Sequence, residues 1–196
     1  MKRGARHAPR GELRIIGGAW RSRRLVFPAS EGLRPTPDRV RETVFNWLAP
    51  HLPGSSCLDL FAGSGAFGFE ALSRGAARVV LVEKRLEVVE ALRHNRGQLK
   101  ADQADIVHAD AVEYLRGPAA VFDIVFIDPP YDSGLLGPCI ELLDTRGWLK
   151  PDASIYLEVP RGVEPTLPEA WQLLRSKTAG QVGYHLARRN LNQETP

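Results

Sequence analysis

Sulfur is scarce in this chain of 196 residues, which has two cysteines and one methionine. Cys57 and Cys139 lie far apart in sequence, with no ligand-type spacing around either. That excludes a disulfide framework and a cysteine-based zinc site, and it suits a reduced, cytoplasmic protein. No stretch of eighteen apolar residues occurs, so no membrane-spanning helix is expected. The basic residues at the start are not followed by an apolar segment, so no secretory signal is expected either. His7, His51, His94, His108 and His185 show no metal-ligand spacing. Internal repeats and low-complexity blocks are missing. The length suits one domain around one substantial core.

Charge is small in sum and uneven in placement. Residues 1–41 hold eleven Lys or Arg against three acids, a local +8, so the net +3 leaves −5 on the rest. A basic segment on a mildly acidic body points to a polyanionic partner, most simply nucleic acid. Residues 1–12 read as a flexible basic arm. From Arg14 to Arg41 the arginines alternate with Ile15, Ile16, Trp20, Leu25, Val26 and Phe27, which predicts folded structure.

Residues 13–28 predict two short strands around a turn at Gly17-Gly18. In the Pro-rich connection that follows, Thr36 is placed to cap a helix with Pro37 at its first position. Val40, Val44, Trp47 and Leu48 form one apolar face of that helix, which ends near Pro50. These pieces make an extension over residues 13–50, and residues 51–196 read as the main domain. There strands at 57–62, 78–83, 105–108, 122–127 and 154–159 alternate with helices at 65–74, 85–99 and 135–143. Leu86, Val89, Leu92 and Leu99 form the predicted inward side of the second helix. Alternation of this kind predicts an α/β fold, a parallel sheet with helices on both faces. Runs at 171–177 and 182–189, joined at Gly180, predict an antiparallel hairpin that finishes the sheet.

Three motifs carry chemistry. The first, Asp59-Leu60-Phe61-Ala62-Gly63-Ser64-Gly65, lies between the first strand of the α/β unit and its helix. Glycines there let backbone approach a ligand where helix amides are free. The spacing Gly63-x-Gly65-x-x-Gly68 equally suits a nicotinamide dinucleotide. The second is Glu83, twenty residues after Gly63. An acid at a strand end can accept hydrogen bonds from both ribose hydroxyls of an adenosyl group. Asp110 ends the next strand, where it can hold an adenine amine, cap the helix at 111–116, or do both.

The third motif is Asp128-Pro129-Pro130-Tyr131, directly after an apolar strand. Two prolines there stop the ladder and impose a rigid, extended turn. The turn leaves the Asp128 carboxyl and neighbouring carbonyls facing a cleft, with Tyr131 as an aromatic plate. An exocyclic amine on a base is a poor nucleophile because its lone pair is delocalised. Acceptors on its hydrogens favour a pyramidal nitrogen, and a stacked ring holds the base in register. With a methyl sulfonium in line, such a site works by positioning and electrostatics.

These residues resemble the amino-methyltransferases whose motif is Asp/Asn-Pro-Pro-Tyr/Phe/Trp. More closely, the chain resembles the bacterial small-subunit ribosomal RNA guanine-N2 methyltransferase family (RsmD type). The resemblance covers roughly residues 13–190. It includes Arg14-Ile15-Ile16-Gly17-Gly18, Leu33-Arg34-Pro35-Thr36, Asp38-Arg39-Val40-Arg41-Glu42, Asp59 to Gly65, Glu70 to Ala76, and Asp128 to Tyr131. It implies a Rossmann-like class I methyltransferase fold, with a seven-stranded, mostly parallel sheet whose last strand is antiparallel. It implies S-adenosylmethionine as donor and a guanine N2 of 16S rRNA as acceptor. The RNA would be met within an assembling 30S subunit with ribosomal proteins bound, by a monomeric enzyme. Asp59, Phe61, Gly63, Gly65, Glu83, Asp110 and Ala111 would hold the cofactor, and Asp128, Pro129, Pro130 and Tyr131 would form the catalytic turn. Arg14, Arg21, Arg34 and Arg39 would meet RNA.

Other readings remain open to the residues alone. Adenine N6 in DNA or a glutamine amide is also a planar amine, although little chain is left for a DNA target-recognition domain. A nicotinamide oxidoreductase accommodates the glycines and Glu83 but leaves Asp128 to Tyr131 unexplained. A non-catalytic RNA-binding module would not need that turn.

Overall fold

The computed structural model describes residues 10–29 and 36–190. The hairpin is β1 (Arg10–Arg14) paired antiparallel with β2 (Arg24–Pro28). A 3-10 turn, Gly18–Trp20, lies in the connection. Strand β1 begins inside the stretch read as a flexible arm. Residues 10–12 are laddered to Pro28, Phe27 and Val26, and Gly11 lies against the Phe27 ring with no room for a side chain. The first nine residues lie outside the described part.

Helix α1 (Asp38–Leu48) follows, with Pro37 at its N-cap position and no side-chain cap. Thr36 is therefore not the cap; its hydroxyl donates to Glu158 instead, at 3.2 Å. The alternating unit then runs β3 (Ser56–Asp59), α2 (Ala66–Ser73), β4 (Arg78–Glu83), α3 (Leu86–Leu99), β5 (Ala104–His108), α4 (Ala111–Arg116), β6 (Phe122–Ile127), α5 (Leu136–Thr145) and β7 (Leu149–Pro160). The chain closes with β8 (Trp171–Ala179) and β9 (Val182–Arg189). On α3 the inward side is Val88, Val89, Leu92, Asn95 and Leu99, whereas Leu86 is exposed. Leu86 is the first helical residue, so it precedes the turn that meets the sheet.

The seven strands lie in the order β5-β4-β3-β6-β7-β9-β8. Strands β3 to β7 are parallel, and β9, the last in the chain, inserts antiparallel between β7 and β8. This is the class I methyltransferase sheet that the resemblance implied. The central strands are apolar nearly throughout because both faces are covered. Val79 and Leu81 of β4 join an apolar cluster with α2 and α3, while Val80 and Val82 join the opposite cluster with α4 and α5. Leu13, Ile15, Leu25 and Phe27 of the hairpin and Val44 and Phe45 of α1 belong to the first cluster. The extension therefore shares the core of the sheet. No helix among the described residues is long and apolar enough to cross a membrane.

Three polar devices fix the extension to the sheet. Glu70, within α2, accepts from the amides of Ile16 and Gly17, each at 2.8 Å. Ser73 accepts from the Trp20 amide at 2.9 Å and donates to the Gly17 carbonyl. Asn95 of α3 bonds both the amide and the carbonyl of Val26, satisfying the outer edge of β2 as a third strand would. At Gly18, with φ +75°, a Cβ would lie 1.8 Å from the Ser73 carbonyl oxygen. Only glycine allows that approach.

Candidate active site

Strand order reverses between β3 and β6. Chain connections leave β3 toward β4 and β5 on one side, and lead to β6 and β7 on the other. Ligand crevices form at the carboxyl ends of strands on either side of such a reversal. The glycine-rich loop follows β3 and the Asp-Pro-Pro-Tyr turn follows β6, and Asp59 is registered against Phe126 across that boundary.

Asp59 ends β3 and is buried, its Oδ2 accepting from the Gly68 amide at 3.0 Å. Burial pushes its carboxyl up to about 7, and the nearby Glu83 charge adds to this against the Gly68 and Phe61 amides. Gly63 and Gly65 have φ of +49° and +78°. Gly65 is the N-cap position of α2, so the loop ends on free helix amides. Phe61 is half-buried against the cluster of α4 and α5.

Glu83 ends β4. Its Oε2 accepts from the Gly63 amide at 3.0 Å and its Oε1 from the Arg85 amide at 2.8 Å. The acid and the glycine loop are thus in direct contact. Asp110 follows β5 as the N-cap of α4, accepting from the Val112 amide at 3.0 Å and pairing with Lys84 at 3.1 Å. Partial burial works against its ionisation, but Lys84 and the Val112 and Glu113 amides hold its carboxyl below the ordinary value. Ala111 is buried at the start of α4. The seven residues read as a cofactor site stand at the ends of three adjacent strands.

Asp128 follows β6. Pro129 is buried, Pro130 is exposed, and Tyr131, 44% exposed, opens a 3-10 turn. Pro129, Pro130, Tyr131, Leu135, Glu158 and Val159 line a cleft beside the turn. Glu158 on β7 is buried, and its carboxylate accepts from Tyr156 at 2.5 Å, Thr36 at 3.2 Å and Tyr131 at 3.5 Å. Burial raises the Asp128 carboxyl well above its ordinary value, with the Glu158 and Asp59 charges adding to it. Burial raises the Tyr131 and Tyr156 hydroxyls as well. Among the described residues no Lys or Arg forms an ion pair with Asp59, Asp128 or Glu158.

Sequence reasoning missed Glu158, Tyr156 and Thr36 as members of this site. The signal was present for Glu158, since an unpaired acid inside an otherwise apolar strand must have a partner or a purpose. Its partners come from distant segments, so no local pattern named them.

Of the arginines expected at RNA, Arg14 and Arg39 are exposed around the start of α1, near Thr36, whose hydroxyl reaches Glu158 beside the Asp128 turn. Arg14 is paired with Asp38 at 3.6 Å. Arg21 is exposed beside the 3-10 turn at the far end of α2, about 12 Å from the Gly65 end by helix rise. Arg34 lies outside the described residues. Arg41, counted with the basic segment, is fully buried and faces Asp38 and Glu70.

A family model described as "Conserved hypothetical protein 95" matches residues 13–188. The ribosomal RNA small subunit methyltransferase D of Escherichia coli (strain K12) is 50% identical over 191 residues, covering 96% of this chain and 96% of its own. The protein of the same name from Haemophilus influenzae is 47% identical over 181 residues, 90% of this chain and 94% of its own. A solved structure from Escherichia coli, also 50% identical, superposes with a TM-score of 0.84 over 92% of this chain and 99% of that one.

Proposed function

Because this chain belongs to the RsmD-type family of small-subunit ribosomal RNA methyltransferases, we propose that it transfers a methyl group from S-adenosylmethionine to the exocyclic N2 of a guanine in 16S rRNA. The observation that carries the reading is the juxtaposition across β3 and β6. The glycine loop and the Asp128 turn follow adjacent strands at the reversal of strand order, and Asp59, Asp128 and Glu158 have no cationic partner among the described residues. A cationic sulfonium and an amine that gains positive charge as it reacts both suit such a site.

The donor set fits the cofactor. Glu83 would take the ribose hydroxyls, and the free amides after Gly65 would approach the polar tail of the ligand. Asp110 and Ala111 would meet the adenine, with Phe61 along the same edge. Asp59 holds the first turn of α2 through Gly68 and so sets the loop. The bound cofactor supplies an electrophilic methyl group. The protein supplies the nucleophile's geometry: Asp128 and the turn carbonyls accept from the amine, and Tyr131 stacks on the base. Arg14, Arg21, Arg34 and Arg39 would neutralise phosphates around the target. The substrate would be 16S rRNA in an assembling 30S particle with ribosomal proteins present, met in the cytoplasm by a monomer.

The test supplies S-adenosylmethionine carrying labelled methyl with three substrates: 30S particles that lack the modification, naked 16S rRNA, and duplex DNA. Label in N2-methylguanosine from 30S particles, lost in Asp128→Ala, is the expected result. Label only in DNA adenine, or no label with no cofactor binding by calorimetry, overturns the proposal.

A further inference from the structure

The Asp128 carboxyl has an unusual neighbour. Glu158, two positions past Tyr156 on β7, faces it from the next strand, and the two carboxyls are close enough to share a hydrogen bond. Asp59 on β3 adds a third acid. Among the described residues, the other groups facing the pair are the hydroxyls of Thr36, Tyr131 and Tyr156. Two carboxylates in contact at a largely buried site, with no cationic partner among the described residues, do not both ionise, so the pair retains a proton.

The hydroxyls decide where that proton sits. Tyr156 gives Glu158 a short bond at 2.5 Å, Thr36 a second at 3.2 Å, and Tyr131 a long third at 3.5 Å. Donors of this kind stabilise the ionised form of the group that receives them. Among the described residues, Asp128 has only the Thr36 hydroxyl, which it shares with Glu158, whereas Tyr156 and Tyr131 serve Glu158 alone. Glu158 is therefore the better-solvated anion, and Asp128 is the group that must donate.

We infer that Asp128 works as a neutral acid, with its hydroxyl donated to the Glu158 carboxylate and its carbonyl oxygen left to accept from the target amine. Glu158 is then a positioning residue. It fixes which Asp128 oxygen faces the cleft and, through Tyr131, steadies the ring beside it. Thr36 ties this arrangement to the extension that carries Arg14 and Arg39. In this form Asp128 presents to the base what a carboxamide would, a carbonyl toward the amine and a donor turned away from it. No general base is needed. As the new N–C bond forms, the methyl–sulfur bond breaks and sulfur keeps the electron pair. The surplus proton on the strongly acidic methylated nitrogen passes to water.

This inference rests on the methyl-transfer reading above, and its test separates the two. Infrared spectra of the purified protein at pH 8, where Asp59 is ionised, report a protonated carboxyl directly and without substrate. The band is expected in the wild type and absent in Asp128→Asn. In Glu158→Gln the band is expected to shift in frequency, because the carboxyl loses its anionic acceptor while burial still favours the neutral form. In methyl transfer, Asp128→Asn is expected to keep kcat within about 10-fold of wild type, whereas Asp128→Ala loses on the order of 100-fold. Circular dichroism melts confirm that each variant is folded. A wild type without the band, a band that survives Asp128→Asn, or an Asp128→Asn variant as inactive as the alanine variant overturns the inference. An inactive wild type that still shows the band overturns the functional reading and leaves the shared proton standing.

Discussion

The Glu70 carboxylate lies 3.5 Å from the Arg41 guanidinium, and neither side chain reaches solvent. Glu70 also pairs with Arg74 at 2.6 Å and accepts from the Ile16 and Gly17 amides. Arg41 in turn donates to the carbonyl of Arg14 at 2.9 Å and bonds Asp38 at 2.6 Å. One buried carboxylate thus binds the hairpin, α1 and α2 together.

Removing that carboxylate leaves the buried Arg41 with the exposed Asp38 as its one anion among the described residues, and the Ile16 and Gly17 amides without their acceptor. Glu70→Ala is expected to lower stability by about 3–5 kcal/mol, the usual cost of breaking one side of a buried pair. Denaturant melts measure the loss. Hydrogen exchange locates it, with amides of β1, β2 and the Gly17 turn losing protection first.

Gly18→Ala tests the same junction from the backbone side. The positive φ costs about 1–3 kcal/mol for a non-glycine residue, and the new Cβ cannot coexist with the Ser73 carbonyl. The hairpin is expected to detach from α2 while the sheet stays folded. Cofactor binding would then survive and RNA binding would weaken, which calorimetry and filter binding measure separately.

Asp59 predicts a dependence of stability on pH. Its native carboxyl is raised to about 7, against an ordinary value of 3.8. The folded state therefore holds a proton that the unfolded state releases between these values. The stability this provides is fully present below the unfolded value and is lost as pH rises through the native one. Asp59→Asn keeps an acceptor for the Gly68 amide without a charge to bury. The variant is expected to be more stable than wild type at pH 8, by up to about 4 kcal/mol. The gain is expected to shrink toward pH 4. Melting curves across that range check the sign; a gain that grows at low pH would contradict it.

Burial pushes the Cys57 and Cys139 thiols up to about 12. Neither supplies thiolate at neutral pH, and both lie in the core. Thiol reagents are expected to leave the native protein unmodified and to label two sites per chain after denaturation, as mass spectrometry would count.

Arg21 and Arg39 are exposed and have no ion-pair partner among the described residues. Each is expected to release about one counterion from RNA, so Arg21→Ala and Arg39→Ala should each reduce the salt slope of binding by about 1. Arg14 is already paired with Asp38, so Arg14→Ala is expected to change the slope less. Binding titrations over a salt series distinguish the three.

The strands from Arg78 to Glu83 and Phe122 to Ile127 have the bounds read from their apolar runs, because a strand covered on both faces leaves an unbroken apolar record. The glycine loop, Glu83 and the Asp128 turn were legible for a related reason. Each is a local device, a tight turn or a strand end, whose residue types are required by backbone geometry within a few positions. The insertion of β9 between β7 and β8 is not local; the hairpin pattern is the same whichever of its strands meets the sheet. Nor was the fate of Arg41 and Thr36 visible. An arginine beside other arginines reads as solvent-facing, and a threonine before a proline reads as a cap. Arg41 is buried because Glu70, twenty-nine residues later, waits beneath it. Thr36 faces Glu158 because β7 runs beside the Asp128 turn. Local pattern determined the strands, the helices and the motif chemistry of this protein. The pairing of charges across distant segments, which sets how the extension docks and what surrounds the Asp128 carboxyl, was decided only when tertiary packing removed water from between them.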